Sequence, residues 1–249
     1  MATSFGALCN DFYVNQKLAL KMDLPSDRET VLHFFDRIQK SVPAMTRFHR
    51  YAGELALESS RRDAEYLWVA MRRTSLRTGH VNPQSMEEAY RIHRLALQVA
   101  PYHLTISPLD VDYVELLFGF DLECNANHDE IVYDALIANS PMSDLLRTPQ
   151  SRILEVQPVF GMSLGDQGDL QAYFEVKTRT RNRRGQPHQY RDEPISIFLS
   201  IRKFGPVQQI DDLQDVFTAL SQHAEVLASE RLVPNLLMPI ARQITSSNA

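Results

Sequence analysis

From Phe12 to Met22 apolar and polar residues alternate. Phe12, Val14, Leu18, Leu20 and Met22 fall on one face, with Tyr13, Asn15, Lys17 and Lys21 on the other. That period of two predicts a strand with one buried face, and Gln16 is the single polar residue on its apolar side. The period then lengthens. Ser26-Asp27-Arg28-Glu29 has the form of a capping box, Val31, Phe35, Ile38 and Val42 come next at helical spacing, and Pro43 marks the stop. Thr46–Glu58 reads as a second, less regular strand, broken at Ser59–Asp63. Tyr66–Arg77 reads as a third, whose unbroken apolar run from Tyr66 to Met71 asks for burial on both faces or at a subunit contact. Ser85-Met86-Glu87-Glu88 then opens a helix with Met86, Tyr90, His93, Leu97 and Ala100 as its stripe and Pro101 as its end. Tyr102–Ser107 reads as a short strand or extended connector.

The same succession returns in the second half. Val111–Glu123 places Val114, Leu116, Phe118, Phe120 and Leu122 on one face, and LLFGFDL (116–122) aligns without gaps on LALKMDL (18–24). Asn127 to Glu130 can cap a helix carrying Ile131, Val132, Ala135 and Leu136, which ends near Pro141. Leu154, Val156, Phe160, Met162 and Leu164 alternate as a strand, Gly165–Gly168 turns, and a third strand starts at Leu170. Ile195, Ile197, Leu199 and Ile201 mark a fourth, and Leu213, Val216, Phe217, Leu220, Ala224 and Leu227 form an amphipathic helix. Pro234 and Pro239 predict a kink or restart in the helical segment after Leu227.

These patterns predict an α+β fold. Its units are internally duplicated β-α-β-β-(β)-α repeats, 1–108 and 109–249, forming an antiparallel sheet with helices on one face of one pseudo-symmetric body. The predicted core holds Leu18, Leu20, Phe35, Leu116, Phe118, Phe120, Phe217 and Leu220. An uncovered sheet face or an edge strand in such a body is available for a homodimer.

One stretch stands apart. In LQAYFEVKTRTRNRRG (170–185), Ala172, Phe174 and Val176 alternate with Tyr173, Glu175 and Lys177, after which all apolar content ceases. Six basic and no acidic residues lie between Lys177 and Arg191, which leaves the rest of the chain at −11 against a total of −5. YLWVAMRRTSLRTG (66–79) is similar: at a shift of 106 positions Arg73 falls on Arg179, Arg77 on Arg183 and Gly79 on Gly185. Arginine presents a planar fork of donors suited to phosphate or carboxylate. Arg72, Arg73, Arg77, Lys177, Arg179, Arg181, Arg183 and Arg184 therefore form a candidate anion-binding set, with Tyr66, Trp68, Tyr173 and Tyr190 near for stacking. The opposing interpretation is a pair of solvated hairpins whose charges keep a sheet edge soluble.

Composition adds mostly exclusions. Hydrophobic content of 44% and charged content of 23% are ordinary for a globular chain of 249 residues. No apolar run approaches the roughly 20 residues of a membrane span, and the first residues lack the basic start of a secretory signal. Cys9 and Cys124 stand far apart as free thiols, which suits a cytoplasmic setting. Nucleophile elbow, Gly-rich phosphate loop, HExxH and zinc spacing are all missing, so no catalytic residue, cofactor or metal is implied. His93 reads as a structural histidine on an apolar helix face, and His128 as part of a polar first turn. Asp110, Asp112, Glu115, Asp121 and Glu123 read as a solvated acidic face rather than oxygen ligands. Two functions are expected on these grounds. The first is a non-catalytic binding or assembly module presenting the arginine hairpins to an acidic protein or a nucleic acid. The alternative is a small-ligand binder or enzyme with a cavity between sheet and helices.

Overall fold

The computed structural model describes residues 4–61, 64–146, 148, 152–179 and 193–247. Its centre is a pair of long antiparallel strands, β1 (Asp11–Leu20) and β6 (Val111–Leu122), which set Phe12 against Phe120 and Val14 against Phe118. The rings of Phe12 and Phe120 lie 5.1 Å apart, and Phe5 closes over both. On the β1 side come β5 (Ser75–Val81), β4 (Tyr66–Arg72), β3 (Glu54–Glu58) and β2 (Arg47–Tyr51). On the β6 side come β9 (Ile195–Phe204), β8 (Leu170–Lys177) and β7 (Val159–Ser163). All neighbours are antiparallel, so strands from both halves of the chain make one nine-stranded sheet.

Helices cover one face. α2 (Met86–His103) lies on β1 and β5, α4 (Asp212–Leu227) lies on β6 and β9, and α1 (Arg28–Ser41) packs on α2. α3 (His128–Leu136) packs on α5 (Met238–Ser247). A π-helical stretch, Ala228–Leu237, joins α4 to α5 with Pro234 inside it, so the kink expected from proline takes the form of a widened turn. All eight core residues named from the sequence are buried, because each sits on the helix side of its element.

Several local expectations change. Asp27, not Ser26, caps α1 by accepting from the Thr30 amide. Ser85 caps α2 by accepting from Glu88, as its sequence indicates, but α2 runs past Pro101 to His103 and leaves no strand at 102–107. Thr46–Glu58 is a hairpin of β2 and β3 that turns at Gly53, where φ is +75°. Likewise Tyr66–Gly79 is a hairpin of β4 and β5, so Arg73 sits in the turn and Gly79 in mid-strand. Of the run 154–164 only β7 joins the sheet, and it forms an exposed edge.

The strand order matches from the centre outward: β5, β4 and β3 flank β1 as β9, β8 and β7 flank β6. β2 has no counterpart among the described strands. The registers test the two alignments suggested by the sequence. The shift of 98 carries Leu18 to Leu116, both on the helix side. The shift of 106 fails. Val69 faces the helices through its pairing with Thr78, yet it falls on Glu175, which pairs with Phe198 on the opposite face. A slip of one residue in a strand exchanges the two faces, so the likeness of the two arginine stretches is not structural equivalence.

Phe118 is fully buried at the centre and touches the rings of Phe5 and Phe12. Phe118→Ala should cost about 3–5 kcal/mol, read as a lower midpoint in denaturant. A midpoint equal to that of the unsubstituted chain would place Phe118 outside the core.

Candidate functional site

No described element covers the second face of the sheet, and its residues are organised by cross-strand pairs. Three glycines within strands face aromatic residues directly across the ladder: Gly79 and Trp68, Gly119 and Tyr13, Gly161 and Tyr173. At each position a Cβ would run into the ring, so the ring lies down over the glycine and its plane follows the sheet. Trp68, Tyr13 and Tyr173 are each partly buried, so the surface is tiled with rings that keep a minor part of their area in solvent.

Cations sit between the rings. Arg77 lies 5.6 Å from the Trp68 centroid, Lys17 lies 4.9 Å from that of Tyr113, and Lys177 lies 5.6 Å from that of Phe198. Arg202 bridges Tyr113 and Tyr173 at 5.6 and 5.4 Å. Pairing across four strands puts Arg202, Glu115, Lys17 and Arg77 in one row, with Glu115 bonded to Arg202 and Glu54 at 3.7 Å from Arg77. Cation–π contact and ion pairing thus hold the same side chains flat.

The predicted anion-binding residues do not gather at one point. Arg72 at the end of β4 and Arg73 in the β4–β5 turn lie beside Leu20, at one end of β1, and bond to Glu54 at 2.5 Å and Asp23 at 2.8 Å. Lys177 and Arg179 lie at the other end, where Lys177 pairs with Ser196, and Ser196 with Asp121 opposite Asp11. A ten-residue strand separates the two sets by about 30 Å. Arg179 takes φ +54° and donates to Ser196 at 2.9 Å, with Glu193 at 3.5 Å. Asp121 accepts from Ser196 at 2.6 Å and Tyr13 at 3.2 Å; burial raises its pKa, while those bonds and Arg179 oppose the rise. Arg181, Arg183, Arg184 and Tyr190 lie outside the described residues.

Lys17, Arg202, Tyr13 and Tyr113 belong to this face and were not among the residues singled out from the sequence. The signal for them was present: each sits on the polar side of its strand, and a glycine inside a strand marks close approach by a neighbour. The acidic residues of β6 spread along the strand, with Glu115 on Arg202 and Asp121 on Ser196, and Asp110 caps the turn before it. Among the described residues no His, Cys, Asp and Glu side chains group as metal ligands, and no helix is long and apolar enough to cross a membrane. Both cysteines are free, and burial with the nearby Asp121 pushes the Cys9 thiol up to about 12.

On the helix side a cavity of about 440 Å³ opens between α1, α2 and the sheet. Its lining includes Ser59, Glu65, His80, Glu88 and Arg91. His80 is buried, with Nε2 at 2.6 Å from Glu65 and Nδ1 unpartnered. Deeper in, His93 Nδ1 meets the Thr78 hydroxyl at 2.6 Å, and that hydroxyl donates to Gln16 at 2.9 Å. Gln16, the one polar residue on the apolar side of β1, thus has its amide oxygen bonded in a buried network, while its Nε2 meets no hydrogen-bond partner among the described residues. His128 is also buried, its ring nitrogens against the carbonyls of Thr178 and Cys124, where it ties α3 to the end of β8.

No protein-family model matches the chain, and no curated protein sequence matches it.

Burial drives the pKa of His93 down from 6.5 to about 3. In the unfolded chain this histidine takes up a proton near pH 6.5, whereas in the folded chain it stays neutral until about pH 3. The unfolded state therefore binds more protons in that window. The contribution is intact above pH 6.5 and is lost as pH falls toward 3, by at most about 1.4 kcal/mol per unit. Replacing His93 by Gln should lower stability at neutral pH and flatten its decline between pH 6.5 and 3, measured by denaturant titrations. An unchanged slope would contradict the buried neutral state.

Proposed function

We propose that this chain is a non-catalytic binding module whose recognition surface is the uncovered face of the sheet. Its partner is a single-stranded nucleic acid. The observation that carries this reading is the set of three aromatic rings laid flat over glycines, with cations between them. Bases stack on exposed ring faces whatever their sequence, and interleaved Lys and Arg track a phosphate backbone. An acidic protein supplies carboxylates but few planar groups, so it uses half of what this face offers. The two arginine ends lie too far apart for one small anion, whereas a strand laid along the face can reach both.

Charge sets the expected strength. The cations of the face already hold Glu115, Glu54, Glu175 and Glu193, so a phosphate must displace a carboxylate rather than meet a bare cation. The chain as a whole carries −5. Affinity should therefore be modest and strongly dependent on salt.

A second reading is favoured by one observation, the unpartnered Nδ1 of the buried His80, whose Nε2 meets Glu65, on the 440 Å³ cavity. In this reading the cavity holds a small polar ligand. Native mass spectrometry of the protein as purified should then show a retained small molecule, lost in Ile92→Trp, which fills the cavity. A wild-type spectrum with protein mass alone removes this reading.

The chain has a single tryptophan, and Trp68 lies on the proposed surface, so its fluorescence reports binding without a label. A thymidine oligonucleotide at low salt should quench it, with a log–log salt slope of about −3 for four phosphate contacts. Arg77→Ser should reduce that slope by about 0.7 and leave the melting temperature within a few degrees. Absence of quenching at low salt, together with no change in anisotropy of a labelled oligonucleotide, removes the nucleic-acid reading.

A further inference from the structure

The two edges of the sheet are built differently. β2, with sequence RFHRY, carries Arg47, His49 and Arg50 among its five residues, the kind of charge that discourages a further strand from adding. β7, with sequence VFGMS, has no charge and no proline, and every residue of it is exposed. Val159 and Phe160 are each 57% exposed, and Met142, which lines a cavity with them, is also 57% exposed. Isolated apolar residues on a surface need no explanation, but an uncharged edge strand with apolar neighbours does.

The first half of the chain displays what is missing at this edge. β3 and β7 hold corresponding places in the strand order, and β2 pairs with the outer side of β3. There Phe48, on the helix side of β2, packs against Phe35 of α1 with centroids 5.2 Å apart. The outer side of β7 pairs with no described strand. At the place where Phe48 would have its counterpart lies an apolar cavity of about 590 Å³, lined by Leu136, Ile137, Met142, Phe160, Phe174 and Leu236. Among the described strands, β3 thus has an outer neighbour and β7 has none.

We propose that a second copy of this chain supplies that strand, by antiparallel pairing of β7 with itself about Gly161. Centred there, Phe160 faces the partner's Met162 on the helix side, and Val159 faces the partner's Ser163 on the other. Aromatic and thioether groups meet over the cavity, and no charge is set against its like. Gly161 adds no side chain of its own at the centre, where Tyr173 lies over it. The pairing is isologous, so it closes at two copies, and the two sheets run on as one. A foreign segment would need to match this edge by its own sequence; a second copy does so by symmetry. The proposal does not depend on the nucleic-acid reading, since it uses a different surface.

Sedimentation velocity over a concentration series of the full chain tests it. The wild type should dimerise, and Phe160→Lys combined with Met162→Lys should weaken dimerisation about tenfold or more, with the far-UV spectrum preserved. Should that variant lose its fold, a second measurement decides. Val159→Cys with Ser163→Cys should give a covalent dimer on oxidation, reversed by reductant, while the unsubstituted chain with Cys9 and Cys124 gives none. A wild type monomeric at every concentration overturns the proposal. So does a dimer unaffected by the paired lysines, an absence of cross-linking, or a foreign polypeptide bound at β7 of a monomeric chain.

Discussion

The ladder between β1 and β6 is the constraint on which the rest depends. Among the described strands it is the one place where the first and second halves of the chain pair, and it does so over the full length of β1. Phe12, Phe118 and Phe120 meet there with Phe5, all buried, and remaining strands add outward from that seam. Removing apolar area at the seam exposes the joint itself, since α2 is anchored on β1 and α4 on β6. Gln16 shows how tightly this region is specified. A lone amide in an apolar row is costly unless bonded; Thr78, itself held by His93, donates to the Gln16 oxygen, whereas the Gln16 nitrogen has no partner among the described residues.

Covering a sheet on one side only creates a problem on the other. Half of every strand must be apolar for the helices, and the other half must be stable in water while lying close to the backbone. This chain solves it with rings over glycines and with cations that lie on rings and pair with carboxylates across the ladder. Such a face is ordered before any partner arrives, and pre-ordered side chains lose less entropy on binding. The same features that make the uncovered face tolerable in water are the ones on which the proposed nucleic-acid reading rests.

The halves share a strand order, yet they are not copies in detail. β4 and β5 are joined at Arg73 and Thr74, whereas β8 and β9 are separated by residues 178–194. The first half ends in a charged edge strand and the second in an uncharged one. The differences concentrate at the sheet's rim, where loops and edges carry recognition, while the buried centre keeps the common pattern.

Much of the fold was legible along the chain. Alternation identified β1, β6, β8 and β9 and the buried face of each, because a half-covered strand must alternate. Helical spacing identified α1, α2, α3 and α4, and Ser85 and Asn127 marked two starts, since a cap is a local interaction between residues two or three apart. The hairpin turns at Gly53 and at Arg73–Thr74 were missed, because a polar break of two or three residues is too short to tell a reversal from the polar positions of one long strand, and only pairing reveals it. The arginine-rich stretches drew attention through composition, which is blind to register. The cross-strand ladder places Arg72 and Arg73 at one end of β1 and Lys177 and Arg179 at the other, with Arg77 between, and shows that the shift of 106 mixes the two faces. The uncovered face itself was a matter of tertiary structure. Tyr13 and Gly119, or Tyr113 and Arg202, lie far apart along the chain, and only strand pairing brings them together.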